Sequence, residues 1–143
     1  VVSESVESAR AAGPEHPITV NAGEEIYVIG DVNRIHQVIA NLLANARIHT
    51  PAGTKINVEV AEEESAVSVT VSDNGPGLND QDREKIFERF YRTDTARSRD
   101  KGGSGLGLAI SKHIIEAHAQ TIHVRSRVDV GTTIGFTLEY KRD

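Results

Sequence analysis

The chain has 143 residues, of which 38% are hydrophobic and 26% charged, with a net charge of −5. That length suits one domain with a core of its own, and the acidic balance argues against a general binder of nucleic acid or anionic membrane. The absence of Cys excludes a disulfide framework and a cysteine metal site. No apolar run approaches the roughly 18 residues of a membrane span, and no signal-peptide pattern is present. There is no Met, not even at position 1, so the chain reads as a segment of a larger protein.

The predicted elements alternate in type along the chain. Residues 1–12 read as a short helix with Val2, Val6 and Ala9 on one side, broken by "AGPEHP". Residues 18–20 and 26–29 are short strands around the turn "NAGEE". Asp31 is a helix cap, and behind it Ile35, Val38, Ile39, Leu42 and Ala46 recur at helical spacing until Pro51. Ile56, Val58 and Val60 alternate with polar residues, as do Val67, Val69 and Val71, with the acidic turn "EEES" between them. That pattern is a β-hairpin. Residues 74–103 are mostly polar, with one short amphipathic helix over 82–91. A stronger helix spans 106–119. Ile122 and Val124 begin a strand, and Ile134, Phe136 and Leu138 alternate along the last one. The order implies a mixed sheet with helices on one face. A polar stretch that long is usually a lid or a binding loop.

Four stretches carry chemistry. "GGSGLGLAI", residues 102–110, opens a helix, whose first-turn N–H groups are free and partly positive. Bare glycines let a phosphate approach them, although the same residues also suit a plain helix start. No strand precedes them, so a dinucleotide fingerprint is excluded, as is a P-loop, for want of Gly-Lys-Ser/Thr. The catalytic-loop and Asp-Phe-Gly signatures of eukaryotic-type protein kinases are absent. "DNGPGL", residues 73–78, ends a strand; it is either a simple turn or a carboxylate, Asp73, at a pocket mouth. An ionised carboxylate only accepts hydrogen bonds, which suits the exocyclic amine of adenine. In "NLLANARIH", residues 41–49, Asn41, Asn45 and His49 lie four apart on one stripe. They form a polar face or, through the Asn45 oxygen, a neutral ligand for Mg²⁺. "IFERFYR", residues 86–92, places Phe87 and Phe90 where they would dock the polar loop. Arg92, Arg97, Arg99 and Lys101 follow, as a solvated basic stretch or as phosphate contacts.

Together, in this order, these stretches resemble the N box, G1 box, F box and G2 box of the catalytic, ATP-binding domain of bacterial sensor histidine kinases. "GTTIGFTL" resembles the final G3 strand. The family shares its fold with gyrase, Hsp90 and MutL. The resemblance covers residues 1–140. It implies a two-layer α/β sandwich of the Bergerat type: a mixed sheet of about five strands, three helices on one face, and a long mobile ATP lid over 79–101. It further implies that Asp73 takes the adenine amine and that Gly75 and Gly77 let the base approach. Asn45 coordinates Mg²⁺ with Asn41 beside it, and His49 closes the N box. Arg92 and Arg97 reach the phosphates from the lid. Gly103, Gly105, Leu106 and Gly107 cradle the phosphates, and Thr133 sets a hydroxyl near the base. Ala46, Ile86, Leu108 and Phe136 are apolar neighbours of the base or its supporting core.

The chain departs from the family at Ile48, where many members carry Lys; the basic residue here is Arg47, about 100° round the helix. ATP-hydrolysing relatives place a Glu where this chain has Asn41, which implies slow hydrolysis. None of the six His residues has the context of a phosphoacceptor, so no catalytic acceptor lies in the chain. The expected function is to bind ATP and Mg²⁺ and to donate the γ-phosphoryl group to a histidine on a separate dimerisation domain, which then feeds a response regulator. Residues 1–143 are expected to be one catalytic domain, monomeric alone, without nucleic-acid partners, on the cytoplasmic side of a membrane-bound sensor. An anti-sigma serine-kinase module and a pseudokinase are the competing classes.

Overall fold

The computed structural model describes residues 6–7, 11, 16–21, 28–51, 53–63, 66–88 and 107–140. In chain order these form β1 (Ile18–Asn21), β2 (Val28–Ile29), α1 (Val32–His49), β3 (Ile56–Glu62), β4 (Ala66–Asp73), α2 (Asp80–Lys85), α3 (Gly107–Ala117), β5 (Ile122–Arg127) and β6 (Gly131–Tyr140). The local signals account for most boundaries. Asp31 caps α1 by accepting from the amides of Asn33 and Arg34, and the backbone turns extended at Thr50, before Pro51. Asn79 caps α2 by accepting from the Asp82 amide.

One mixed sheet results. β1 runs parallel to β3, and every other pairing is antiparallel: β3 with β4, β4 with β6, and β6 with both β5 and β2. β5 pairs with residues 131–136 of β6 and β2 with its last two, both on the side away from β4. Six strands therefore make a sheet five strands wide, as expected. β1 and β2, adjacent in sequence, end up near opposite edges.

The expected alternation sets the faces. Val67, Val69 and Val71 of β4 pair with Leu138, Phe136 and Ile134 of β6, all buried. All of these but Val67 join Ile35, Val38, Ile39, Leu42 and Leu43 of α1 and Leu108, Ile114 and Ile115 of α3 in a single core. Phe136, Ile115 and Leu43 are fully buried. Val6, in helical backbone, also enters this core; the rest of the expected 1–12 helix lies mostly outside the described residues.

Residues 79–88 fall at the start of the expected lid. They form α2 and a following turn rather than one helix over 82–91. α2 itself buries nothing, but Ile86 is buried and Phe87 packs on the core. The apolar pair after the helix anchors this stretch. Residues 89–101, where the rest of the expected lid falls, lie outside the described structure.

Candidate nucleotide site

One rung of the sheet changes character. On the helix-facing side, Val58, Val71, Ile134 and Val124 form an apolar row across β3, β4, β6 and β5. The next row towards the end of β4 reads Ile56, Asp73, Thr132, Ser126. The strands keep their alternation, yet three polar side chains now stand where core residues stood.

Asp73 is half-buried at the last residue of β4. Burial raises its carboxyl pKa above the ordinary value of 3.8; backbone hydrogen bonds from Gly75 and Thr132 and the nearby His16 offset part of that rise. The Gly75 amide donates to Oδ1 at 2.9 Å. The carboxylate is thus desolvated and oriented, and it keeps acceptor capacity.

The glycines after it are held by protein. A Cβ on Gly75 would lie 2.5 Å from Thr50 Cγ2 and 3.1 Å from Asp73 Oδ1. Gly77 has φ +72°, and a Cβ there would run into the carbonyl of Arg127. The Leu78 amide donates to Ser126 Oγ at 2.6 Å, and the Asp129 amide to the Pro76 carbonyl at 2.8 Å. Gly75 and Gly77 therefore let the turn press against the end of α1 on one side and the β5–β6 connection on the other. Thr50 links the same parts. It is buried, its hydroxyl donates to the Ala46 carbonyl at 2.7 Å, and its own carbonyl lies 3.3 Å from Nε2 of the buried His16.

The α1 stripe meets the start of α3. Asn41 Nδ2 donates to the Gly107 carbonyl at 3.1 Å and to Ser111 Oγ at 3.2 Å. Asn45, one turn further along, is half-buried, and its side chain makes no hydrogen bond among the described residues. Its amide oxygen is a hard neutral donor, and the described residues hold no cluster of three or more His or acidic groups. This donor set fits a Mg²⁺ ion that draws most of its ligands from phosphate and water. Arg47 is half-buried, and its Nε is buried without a hydrogen-bond partner among the described residues.

The expected residues distribute unevenly. Asp73, Gly75 and Gly77 gather at the end of β4; Asn41, Asn45 and Gly107 gather where α1 meets α3. Thr133 registers with Ser72 and its hydroxyl lies 3.0 Å from that of Ser72, on the face away from the helices. The hydroxyl on the Asp73 face is that of Thr132, 2.8 Å from Ser126 Oγ. Alternation from Ile134 already marks Thr132, and alternation from Val124 marks Ser126. Ser111, Thr50 and His16 carry no comparable local signal. Arg92, Arg97, Gly103, Gly105, Leu106 and the His49 side chain lie outside the described structure. Ala46, Ile86, Leu108 and Phe136 are all buried.

A helix-backed mixed sheet with a half-buried carboxylate at one strand end, on the helix-facing side, defines an ATP-binding domain of the gyrase and histidine-kinase type. The chain belongs to the histidine kinase-, DNA gyrase B- and HSP90-like ATPase family, which it matches over residues 30–142. It is 44% identical over 121 residues to the sensor histidine kinase WalK of Bacillus subtilis, covering 83% of this chain and 20% of that protein. It is 39% identical over 140 residues to the sensor-like histidine kinase SenX3 of Mycobacterium tuberculosis, covering 96% of this chain and 34% of that one. Among solved structures, the mycobacterial sensor histidine kinase MprB superposes with a TM-score of 0.87 at 30% identity, covering 99% of this chain and 95% of the other. The chain thus spans about a fifth to a third of the length of these curated relatives.

Proposed function

We propose that this domain binds Mg²⁺-ATP and donates the γ-phosphoryl group to a histidine of a separate dimerisation domain in a sensor histidine kinase. The bond from the γ-phosphorus to the bridging oxygen breaks, a bond to the histidine nitrogen forms, and ADP leaves. The phosphoryl group then passes to a response regulator. Residues 1–143 act as the single catalytic domain, monomeric alone, on the cytoplasmic side of a membrane-bound sensor. Among the described residues, no helix is long and apolar enough to cross a membrane.

The observation that carries this reading is Asp73: a half-buried carboxylate with a raised pKa, oriented by a backbone amide, at the one rung where the core turns polar. In this role it accepts the adenine amine and rejects the guanine carbonyl. Gly75 and Gly77 shape the turn that holds it, and the register favours Thr132 over Thr133 as the hydroxyl on that side. Asn45 offers its oxygen to Mg²⁺, beside Asn41. A Mg²⁺ ion held there with the phosphates would neutralise charge during phosphoryl transfer. The phosphates lie at the start of α3, with Gly103, Gly105, Leu106 and Gly107, and with Arg92, Arg97 and His49 near them. Asn41 cannot serve as a base for water, so ATP is held for transfer rather than hydrolysed.

Calorimetric titration with a non-hydrolysable ATP analogue, with and without Mg²⁺ and with the GTP analogue as control, tests the binding step. Adenine-selective 1:1 binding strengthened by Mg²⁺ is expected. No binding at millimolar ligand by a folded sample would sink the reading. Phosphotransfer to a chain that includes the upstream histidine tests the rest.

A further inference from the structure

α3 is tied to α1 at both ends by polar contacts that stand apart from the apolar seam between them. At its start, the Gly107 carbonyl accepts from Asn41 Nδ2 at 3.1 Å and from Ser111 Oγ at 2.9 Å, and Ser111 Oγ accepts from the same Asn41 Nδ2 at 3.2 Å. Ser111 is fully buried. A carbonyl can only accept, so the Asn41 amide is set with its nitrogen towards α3, where the Gly107 carbonyl and Ser111 Oγ share it. At the far end, the Asp31 amide donates to His118 Nε2 at 3.1 Å, while His118 Nδ1 lies 2.8 Å from the Ile114 carbonyl. An N–H can only donate, so His118 carries its proton on Nδ1 and gives it to that carbonyl.

The two kinds of contact constrain different motions. Dispersion contacts along Leu42, Leu108 and Ile115 change little when one helix slides by a few tenths of an ångström. Hydrogen bonds have a narrow range of distance and angle, so these ties fix the axial position of α3. That position sets where the first-turn amides of α3 point.

We infer that Ser111, acting with Asn41, is a positioning residue for the phosphates: the pair holds the first turn of α3 in place, with the Asn41 amide nitrogen turned to α3. This rests on the ATP-binding reading above. The test is Ser111→Ala in the whole 143-residue chain, with ATP and adenosine titrated separately in the presence of Mg²⁺ and followed by amide NMR. ATP affinity should fall about 3- to 10-fold, the net worth of one hydrogen bond. Adenosine affinity should stay within about twofold of wild type, because the base end is untouched.

A loss of general folding would weaken both ligands alike, so the ratio of the two affinities is the readout. Asn41→Leu should lower the same ratio, and the double variant should lose no more than Asn41→Leu alone, since the two residues form one tie. Should Ser111→Ala fail to fold, Asn41→Leu carries the test through the same ratio. An unchanged ATP-to-adenosine ratio, or losses that multiply in the double variant, overturns the inference. If the wild-type chain binds adenosine and gains nothing from the triphosphate, the inference falls while the base site stands. If it binds neither, the ATP-binding reading falls and takes this inference with it.

Discussion

The two ends of β4 and β6 share one face and one geometry, yet they serve opposite ends. At one end Val67 faces Leu138 and both are buried. At the other, three rungs along the same row, Asp73 faces Thr132 and is joined by Ser126. Nothing in the backbone marks the change, since the strands stay paired in register throughout. The site is made by substituting polar side chains at the last rung of a core, where the sheet already supplies rigid placement and partial exclusion of water. The consequence is a conflict: the apolar end gains from burial and the polar end works against it.

The largest test of that contrast is at the apolar end. Phe136→Ala should lower stability by about 3–5 kcal/mol, measured by urea unfolding, because it empties a fully buried site.

Asp73→Asn should behave in the opposite way. ATP affinity should fall about 10- to 100-fold by calorimetry, as the charged acceptor is lost. The unfolding midpoint of the nucleotide-free domain at pH 7 should not fall, because Asn keeps the acceptor for the Gly75 amide and removes a desolvated charge. The sign follows from the raised pKa. A carboxyl whose folded pKa lies above 3.8 contributes stability in full below 3.8 and loses it as pH rises through the folded value. The variant should therefore gain on the wild type as pH rises across that window. Wild-type ATP affinity should fall on acidification before an ordinary Asp would protonate, and that of the variant should stay flat. A drop in stability of Asp73→Asn at neutral pH would break the contrast.

Ser126→Ala should cost about 1–2 kcal/mol in thermal unfolding, since its hydroxyl serves the Leu78 amide, the Gly131 carbonyl and Thr132 together. The smallest effect sharpens the face assignment. Thr132→Val should weaken ATP by about 0.5–1.5 kcal/mol, and Thr133→Val by less, because only Thr132 shares the face of Asp73. The reverse order in a titration would return the hydroxyl role to Thr133.

Much of this contrast is visible along the chain. The alternation of Val67, Val69 and Val71 leads by parity to Asp73, and that of Leu138, Phe136 and Ile134 leads to Thr132. Thr133 draws the eye through its motif, but one residue on a strand exchanges faces. Docking of the polar stretch is legible too, since Phe87 marks it; the helix bounds are not, because the helix runs from Asp80 to Lys85 and leaves Ile86 and Phe87 in the turn after it.

The sequence by itself determined the helices, the strands, their buried faces and the order of the motifs, because periodicity and caps act between residues a few positions apart. Only the tertiary structure decided that Asn41 grips Gly107 and Ser111, that Thr50 fills the place of a Gly75 side chain, and that His118 takes the Asp31 amide. Each of those contacts joins residues 25 or more positions apart. The local bonds that Ser111, His118 and Thr50 make four residues back do not foretell these contacts, which form only because packing the helices on the sheet brings the residues together.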